Sequence, residues 1–187
     1  MIFVEEKAME NQRIRVTKRM LREALIRLLG QKPIEKIRVQ EICLEAQINR
    51  TTFYKYYGTQ YDLLNEVKEG FLKELEMHFE NDDEPKNLVN VLAYMDEQRE
   101  LCLALISAIS DDSFLESLLG LSYITTELEQ GLADRYEGSR KEYATEFILR
   151  GAYSVVRKWL YADTRDTPEF IAGIIMELAG GLCGYGQ

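Results

Sequence analysis

The chain has 187 residues, of which 46% are hydrophobic and 29% charged, with only three prolines. This composition is typical of a globular protein with a core of its own and excludes an intrinsically disordered chain. No run of 18 apolar residues and no signal-peptide core are present, so we expect neither a membrane span nor secretion. Three widely separated cysteines and one histidine predict no disulfide framework and no zinc site. We therefore expect no metal, no other cofactor and a cytoplasmic location.

Charge is distributed unevenly along the chain. Residues 1–57 carry twelve Lys and Arg against seven Asp and Glu, whereas residues 58–187 carry eleven against twenty-five. A basic front and an acidic rear are typical of a module that binds a polyanion, joined to a body that stays away from it. Chance surface charge would give the same division, so charge alone does not decide the function.

Helical periodicity runs through the whole chain and begins with an apolar stripe over residues 17–29. A short helix is predicted over residues 39–46 and a second over residues 50–57, where Phe53 and Tyr57 are apolar anchors at helical spacing. Longer helical stretches follow, one after Thr59 and others near residues 86–109, 113–135, 139–162 and 167–183. No strand alternation is present, so we expect an all-α fold.

The two short helices, together with the helix before them, have the pattern of a helix-turn-helix. In such a motif the second short helix presents polar side chains at its N-terminal end to base edges, while hydroxyls and cations hold phosphates. The expected base-contacting residues are Asn49, Arg50, Thr51 and Thr52, and the residues on the exposed side after them are Tyr54, Lys55 and Tyr56. An ordinary three-helix subdomain with a solvated polar face would have the same composition.

Residues 38–57 closely resemble the helix-turn-helix of TetR/AcrR-type transcriptional regulators, and the resemblance extends from about Thr17 to Leu64. The segment from Thr52 to Tyr57 is a specific part of it, and residues 48–54 look most like a subgroup common in low-GC Gram-positive bacteria. The resemblance implies an N-terminal three-helix DNA-binding domain, residues 1–57, before a larger helical dimerisation and effector-binding domain, residues 58–187. It also implies contacts to the DNA backbone or groove edge by Thr17, Lys18, Val39 and Gln40.

Two residues depart from the pattern of that family. Gln47 stands where a turn glycine is common, so the turn must accept a side chain in the left-handed backbone region. Gln60 stands where a lysine usually opens the fourth helix, which removes one expected phosphate-binding cation.

The rear part of the chain has apolar residues on two sides of the helix near 139–162 and a broad apolar stripe on the last helix. A helix that is apolar on two sides must be buried on two sides, so we expect a dimer interface, although both stripes could also pack within one chain. The residues expected in this interface are Phe147, Ile148, Val155, Trp159, Ile171, Ile175 and Leu178. The best candidates for an effector cavity are Tyr94, Met95, Phe114 and Tyr123, although aromatic residues at helical spacing are more often plain core.

An enzyme would need a nucleophile with its base, paired carboxylates in a cleft, a phosphate loop or metal ligands. The sequence has no G-x-S-x-G, no glycine-rich loop and a single histidine, His78, which we expect on the surface, so we do not expect an enzyme. We expect a bacterial repressor that binds a palindromic operator on double-stranded DNA as a homodimer, under the control of a small-molecule effector or a protein partner. The alternative is a helical adaptor that uses its front domain on another protein. Salt-sensitive binding to duplex DNA would separate the two.

Overall fold

A computed structural model describes residues 2–80, 84–109, 114, 117–118, 136–163 and 166–182. Within these residues the chain forms eight α-helices, a 3-10 turn at Ile34–Lys36 and no strand, so the predicted all-α class is confirmed. The helices are α1 (Ile2–Leu29), α2 (Val39–Glu45), α3 (Arg50–Tyr54), α4 (Gln60–Glu80), α5 (Glu84–Glu97), α6 (Arg99–Ala108), α7 (Ser139–Tyr161) and α8 (Pro168–Leu182). The helix predicted near residues 113–135 lies almost entirely outside the described residues.

The chain divides into two compact units, a first unit of Met1–Gly70 and a second unit of Phe71–Gln187. The division falls within α4, and each unit has buried apolar side chains of its own. The domain boundary expected after residue 57 stays a prediction based on charge and motif. Among the described residues, no helix is both long enough and apolar enough to cross a membrane.

The first unit is held together by a small core between its first three helices. α1 packs against α2, and α2 packs against α3. Leu21 and Leu25 of α1, Ile42 of α2 and Phe53 of α3 are completely buried. Helices as short as α2 and α3 are marginal on their own. Burial of each such side chain contributes about 1.5–3 kcal/mol, so the packing of α2 on α1 and of α3 on α2 stabilises them.

The predicted start of the first helix near Thr17 is wrong, because α1 begins at Ile2 and both Thr17 and Lys18 lie inside it. No residue of the segment 12–20 is buried, so this part of the helix has no apolar stripe that periodicity could detect. Glu, Lys, Ala, Met, Gln and Arg make up most of the added length, and these strong helix formers favour a helix through intrinsic propensity.

In the second unit α8 packs against α5 and α7, and α7 also packs against α6. The helices predicted near residues 139–162 and 167–183 are confirmed as α7 and α8. The stretch near 86–109 is two helices rather than one, separated at Gln98, whose φ and ψ are −98° and 26°. The break contains neither glycine nor proline, so the sequence has no signal for it.

Candidate nucleic-acid interface

The turn between α2 and α3 is centred on Gln47, whose φ of 55° lies in the left-handed region. The amide of Gln47 donates to the carbonyl of Leu44 at 3.1 Å, and the amide of Ile48 donates to the carbonyl of Cys43 at 2.9 Å. These two bonds are the Schellman arrangement, which satisfies the last carbonyls of a helix and turns the chain away from it. The expectation that Gln47 occupies a left-handed position is confirmed.

Asn49 caps the N-terminus of α3. Its Oδ1 accepts a hydrogen bond of 2.7 Å from the amide of Thr52. A side-chain cap of this kind stabilises a helix by about 1 kcal/mol, which matters in a helix that extends only over Arg50–Tyr54. Asn49 therefore has a structural role that the sequence pattern did not reveal. Arg50 and Thr51, which follow it, are exposed, and Thr52 is half-buried.

One side of α3 is anchored by aromatic packing. Phe53 is completely buried and Tyr57 is 4% exposed, and their ring centroids are 5.5 Å apart. The ring of Tyr54 meets Phe53 edge-on at 5.6 Å. The expected packing role of Phe53 and Tyr57 is confirmed. Tyr54 and Lys55 are exposed and Tyr56 is half-buried, so the other side of α3 and the residues after it form a polar surface.

Arg50 lies against Tyr54 on this polar surface. Its Cζ is 5.8 Å from the centroid of the Tyr54 ring, and its Nη2 is 3.4 Å from the Tyr54 hydroxyl. Stacking on an aromatic face restricts a guanidinium group, while its planar set of donors can still make two parallel hydrogen bonds. That geometry suits a guanine edge in the major groove.

The start of α2 is held by Glu41. Its carboxylate accepts a hydrogen bond of 2.9 Å from the amide of Arg38 and forms an ion pair with Lys32. The hydrogen bond from Lys32, followed by that from the Arg38 amide, lowers the pKa of Glu41 below its ordinary value. Val39 is half-buried and Gln40 is exposed at this end of α2. These bonds order the end of α2 at which contacts to the DNA backbone or groove edge are expected.

Lys18 is joined to Tyr57 through the carboxylate of Glu66. The Lys18 ammonium is 2.7 Å from Glu66 Oε2, and the Tyr57 hydroxyl donates to Glu66 Oε1 at 2.8 Å. Burial raises the pKa of Glu66, but the hydrogen bonds from Lys18 and Tyr57 outweigh burial and hold that pKa below its ordinary value. Burial and the bond to Glu66 raise the pKa of Tyr57.

Glu66 was not predicted from the sequence. Its partner Lys18 is 48 residues away along the chain, and no local spacing indicates such a pair. Thr17, the neighbour of Lys18 and another expected backbone contact, is half-buried within α1.

Two of the four residues expected at the effector cavity, Tyr94 and Phe114, belong to an aromatic cluster of the second unit. Phe114 and Met95 are buried, and Tyr94 stacks on Phe71 with ring centroids 5.8 Å apart. Phe71 also stacks on Phe114 at 6.4 Å. Tyr123, the fourth expected residue, lies outside the described residues.

His78 does not lie on an open surface, so that prediction is wrong. The side chain is half-buried, and its ring stacks on Tyr94 with centroids 4.6 Å apart. Cys102 is also buried. Its Sγ lies 3.5 Å from the carbonyl oxygen of Met95, the residue after Tyr94. Burial raises the pKa of Cys102 to about 12, so the thiol stays protonated near neutral pH.

The residues expected at the dimer interface differ in the fraction of each that is exposed in a single chain. Phe147 is 63% and Leu178 is 58% exposed. Ile148 and Val155 are half-buried, whereas Trp159, Ile171 and Ile175 are 3%, 4% and 9% exposed. The indole of Trp159 donates to the carbonyl of Asp166 at 2.8 Å, so this side chain packs within its own chain.

A helix-turn-helix with an exposed polar surface on α3, followed by a larger helical unit, defines the class of helical DNA-binding regulators. A family model described as bacterial regulatory proteins of the tetR family matches residues 21–67, and one described as a transcriptional regulator C-terminal region matches residues 82–181. The chain belongs to the TetR family of transcriptional regulators. The family resemblance of residues 38–57 is thereby confirmed.

Individual relatives are distant in sequence. The HTH-type transcriptional regulator YxbF of Bacillus subtilis strain 168 is 23% identical over an alignment of 168 residues that covers 84% of this chain. The matched region spans 43% of the length of that curated relative. A TetR transcriptional regulator from Streptococcus agalactiae 2603V has a TM-score of 0.73 at 21% identity, with 92% of this chain and 98% of the other covered.

Two further solved structures have the same fold at lower similarity. The dihydroxyacetone kinase operon activator DhaS has a TM-score of 0.60 at 20% identity, and 89% of this chain and 95% of the other are covered. The fatty acid degradation regulator FadR from Bacillus halodurans has a TM-score of 0.61 at 16% identity, with 89% and 96% covered.

Proposed function

We propose that this TetR-family regulator is a repressor that binds a palindromic operator on double-stranded DNA as a homodimer. The observation that carries the proposal is the exposed polar surface at the N-terminal end of α3. Asn49 caps that helix end, and the buried ring of Phe53 anchors the helix from below. The backbone of the reading surface is therefore ordered before DNA arrives, which lowers the entropic cost of binding.

The contacts divide by the groups that each side chain can offer. Arg50 donates to base edges, and neighbouring hydroxyl and amide groups complete the reading surface, whereas phenolic hydroxyls and an ammonium group hold phosphates. The base-contacting group is Asn49, Arg50, Thr51 and Thr52, the phosphate-contacting group is Tyr54, Lys55 and Tyr56, and further backbone contacts come from Thr17, Val39 and Gln40. Lys18, which is ion-paired with Glu66, is not among these contacts.

The homodimer is proposed to form through the exposed apolar side chains of α7 and α8. Phe147 and Leu178 would lose their contact with water in such an interface, and burial of apolar area contributes about 25 cal/mol per Å². A two-fold dimer presents two copies of α3, which suits half-sites repeated at about 34 Å or a multiple of it.

We propose that the second unit controls DNA binding. The proposed location of the protein is the bacterial cytoplasm. The cluster of Phe71, Tyr94 and Phe114 is the proposed place for a small-molecule effector, and a protein partner is the other form of control. An effector changes operator occupancy only if it binds the DNA-competent and DNA-incompetent states with different affinity.

The DNA-binding proposal is tested by replacing Arg50. An operator is first selected from random duplexes with the wild-type protein, and affinities for that site and for random duplex are then compared. Arg50→Ala should weaken the selected site by about 1–3 kcal/mol, or roughly 5- to 150-fold, and random duplex much less. The matched control is Arg27→Ala, since Arg27 is a cation of the same unit that is paired with Glu45 at 2.7 Å.

Two outcomes would contradict the proposal. If the wild-type protein binds no duplex DNA at 50 mM salt, the DNA-binding function is wrong. If Arg50→Ala weakens selected and random duplexes equally, Arg50 is a phosphate contact and the reading surface is misassigned.

A further inference from the structure

Glu66 joins three segments of the first unit at one point. Its two carboxylate oxygens bind the ammonium of Lys18 from α1 and the hydroxyl of Tyr57, which follows α3. The Lys18 Nζ lies 5.4 Å from the centroid of the Tyr57 ring and 6.0 Å from that of Tyr56. One lysine is therefore held by a carboxylate and by two aromatic rings at once.

The ion pair changes which cations of the first unit can meet DNA. The charge of Lys18 is balanced by Glu66, and its side chain is held in a fixed position, 35% exposed. Within the part of the chain that the structure describes, no carboxylate lies within ion-pair distance of Arg50 or Lys55. Arg50 and Lys55 therefore keep their full charge on the surface of α3 and the residue after it, whereas Lys18 adds little net charge.

The position of Lys18 makes this balance relevant to DNA. Tyr56 belongs to the proposed phosphate-contacting group, and the ammonium of Lys18 lies over its ring. A lysine side chain carries its ammonium on a flexible four-carbon chain. An unpaired Lys18 next to Tyr56 could therefore reach a phosphate that Tyr56 approaches. The carboxylate of Glu66 competes with that phosphate for the same ammonium.

We infer that Glu66 sets the number of phosphates that the protein neutralises, by holding Lys18 in an ion pair and away from the DNA backbone. The inference rests on the proposed DNA-binding function. A phosphate contact reads no sequence, so one contact fewer per protomer lowers affinity for random DNA nearly as much as affinity for the operator. Glu66 is therefore a positioning residue that limits the electrostatic part of DNA binding, for the operator and for random DNA alike.

The test is the salt dependence of binding to a random-sequence duplex. Glu66→Gln keeps an oxygen that can accept from the Tyr57 hydroxyl but removes the charge that holds Lys18. The slope of log affinity against log salt should steepen by about 0.9 per protomer, which is roughly a 3.5-fold larger loss of affinity per protomer between 50 and 200 mM salt. Glu66→Met removes the same charge through a different side chain, so the result does not depend on one substitution folding.

Two controls separate release of Lys18 from a general change in charge. Glu69→Gln removes an exposed carboxylate of the same helix, and its line should run parallel to that of the wild type. Glu66→Gln made on a Lys18→Met background should no longer steepen the slope, because the released cation is absent. This double-mutant cycle isolates the coupling between the two residues.

The outcomes distinguish this inference from the function on which it rests. If the wild type binds duplex DNA and the Glu66→Gln line stays parallel to it, Glu66 does not restrain Lys18 and the inference is wrong, while the proposed function stands. If Glu69→Gln steepens the slope equally, net charge explains the effect and the inference is again wrong. If the wild type binds no duplex, the proposed function itself fails.

Discussion

The guanidinium of Arg99 donates a hydrogen bond of 2.7 Å to the carbonyl of Ala162, 63 residues further along the chain. The same Nη2 lies 3.2 Å from the carbonyl of Trp159, and Nη1 lies 3.4 Å from Asp96. Arg99 thereby places a positive charge on the last carbonyls of α7, where the negative end of the helix dipole favours it. The indole of Trp159 donates to the carbonyl of Asp166, and the backbone carbonyl of Trp159 faces Arg99. Both the side chain and the backbone of Trp159 therefore help to hold the segment after α7.

Replacement of Arg99 should destabilise the second unit. The side chain is 14% exposed, so Arg99→Met removes the donor from the half-buried carbonyl of Ala162 and leaves Asp96 without its positive partner, at a cost of about 3 kcal/mol. Arg99→Lys should lose less, since it keeps the charge but cannot bridge both carbonyls. Urea unfolding followed by circular dichroism measures the difference, and Arg140→Met, an exposed cation at the other end of α7, is the control. Equal midpoints for Arg99→Met and Arg140→Met would show that Arg99 holds nothing.

A substitution at the left-handed residue Gln47 should raise stability, whereas replacement of Arg99 lowers it. A side chain with a φ of 55° costs about 1–2 kcal/mol, and glycine avoids that cost but loses more entropy on folding. Gln47→Gly should therefore stabilise the first unit by about 0.5–1 kcal/mol, visible as a higher melting temperature. Gln47→Ala keeps the strained backbone and should melt close to the wild type. A glycine variant that melts below the alanine variant would contradict this explanation of the turn.

Acid should destabilise the first unit through two carboxylates. The pKa of Glu41 is lowered chiefly by Lys32, and that of Glu66 is lowered by Lys18 and Tyr57 despite burial, which raises it. A carboxylate whose pKa is lower in the folded state stabilises the fold above its unfolded pKa, and this contribution is lost as pH falls through the folded value.

The double variant Glu41→Gln and Glu66→Gln should therefore lose less stability than the wild type between neutral and acidic pH. Urea midpoints measured from pH 7 down to pH 3 provide the comparison. Both carboxylates are partly exposed, so the difference is expected to shrink in high salt. Identical slopes for the two proteins at low salt would rule out these two groups as the source of acid sensitivity.

Short-range patterns explain why much of the first unit was predictable. The spacing of Phe53 and Tyr57 and the polar residues at the start of α3 are all local, and so is the left-handed turn at Gln47. The contacts that join distant segments were not predictable, because no sequence spacing records that Lys18 meets Glu66 or that Arg99 meets Ala162. The first part of α1 was not predicted either, because it is favoured by intrinsic helix propensity and has no apolar stripe.

The proposed effector site and the proposed dimer interface were the least predictable parts. Apolar residues at helical spacing mark a buried face, but they do not tell whether the cover is the same chain or another. Trp159 and Ile171 resemble Phe147 in the sequence pattern, yet they are almost completely covered within one chain, whereas Phe147 is not. Side-chain exposure in the folded chain therefore decides which substitution can test the dimer.

If the proposed homodimer forms through α7 and α8, Phe147→Glu and Leu178→Glu should each convert it to a folded monomer. The two side chains are 63% and 58% exposed in one chain, so a glutamate there stays hydrated and the monomer keeps its fold. Within an interface the same carboxylate loses its water without a partner, at a cost of several kcal/mol. Ile175 is 9% exposed, and a charge at this residue would disrupt the monomer itself, so it cannot serve the test.

Leu44→Glu is the matched control for this prediction, because Leu44 is 80% exposed but lies on α2 in the first unit. Sedimentation at micromolar concentration should show a dimer for the wild type and for Leu44→Glu, and a monomer for both interface variants. The monomers should also lose most of their affinity for a palindromic duplex, since each can occupy only one half-site. A wild-type protein that sediments as a monomer would overturn the homodimer. Dimers that survive both substitutions would instead move the interface away from these faces of α7 and α8.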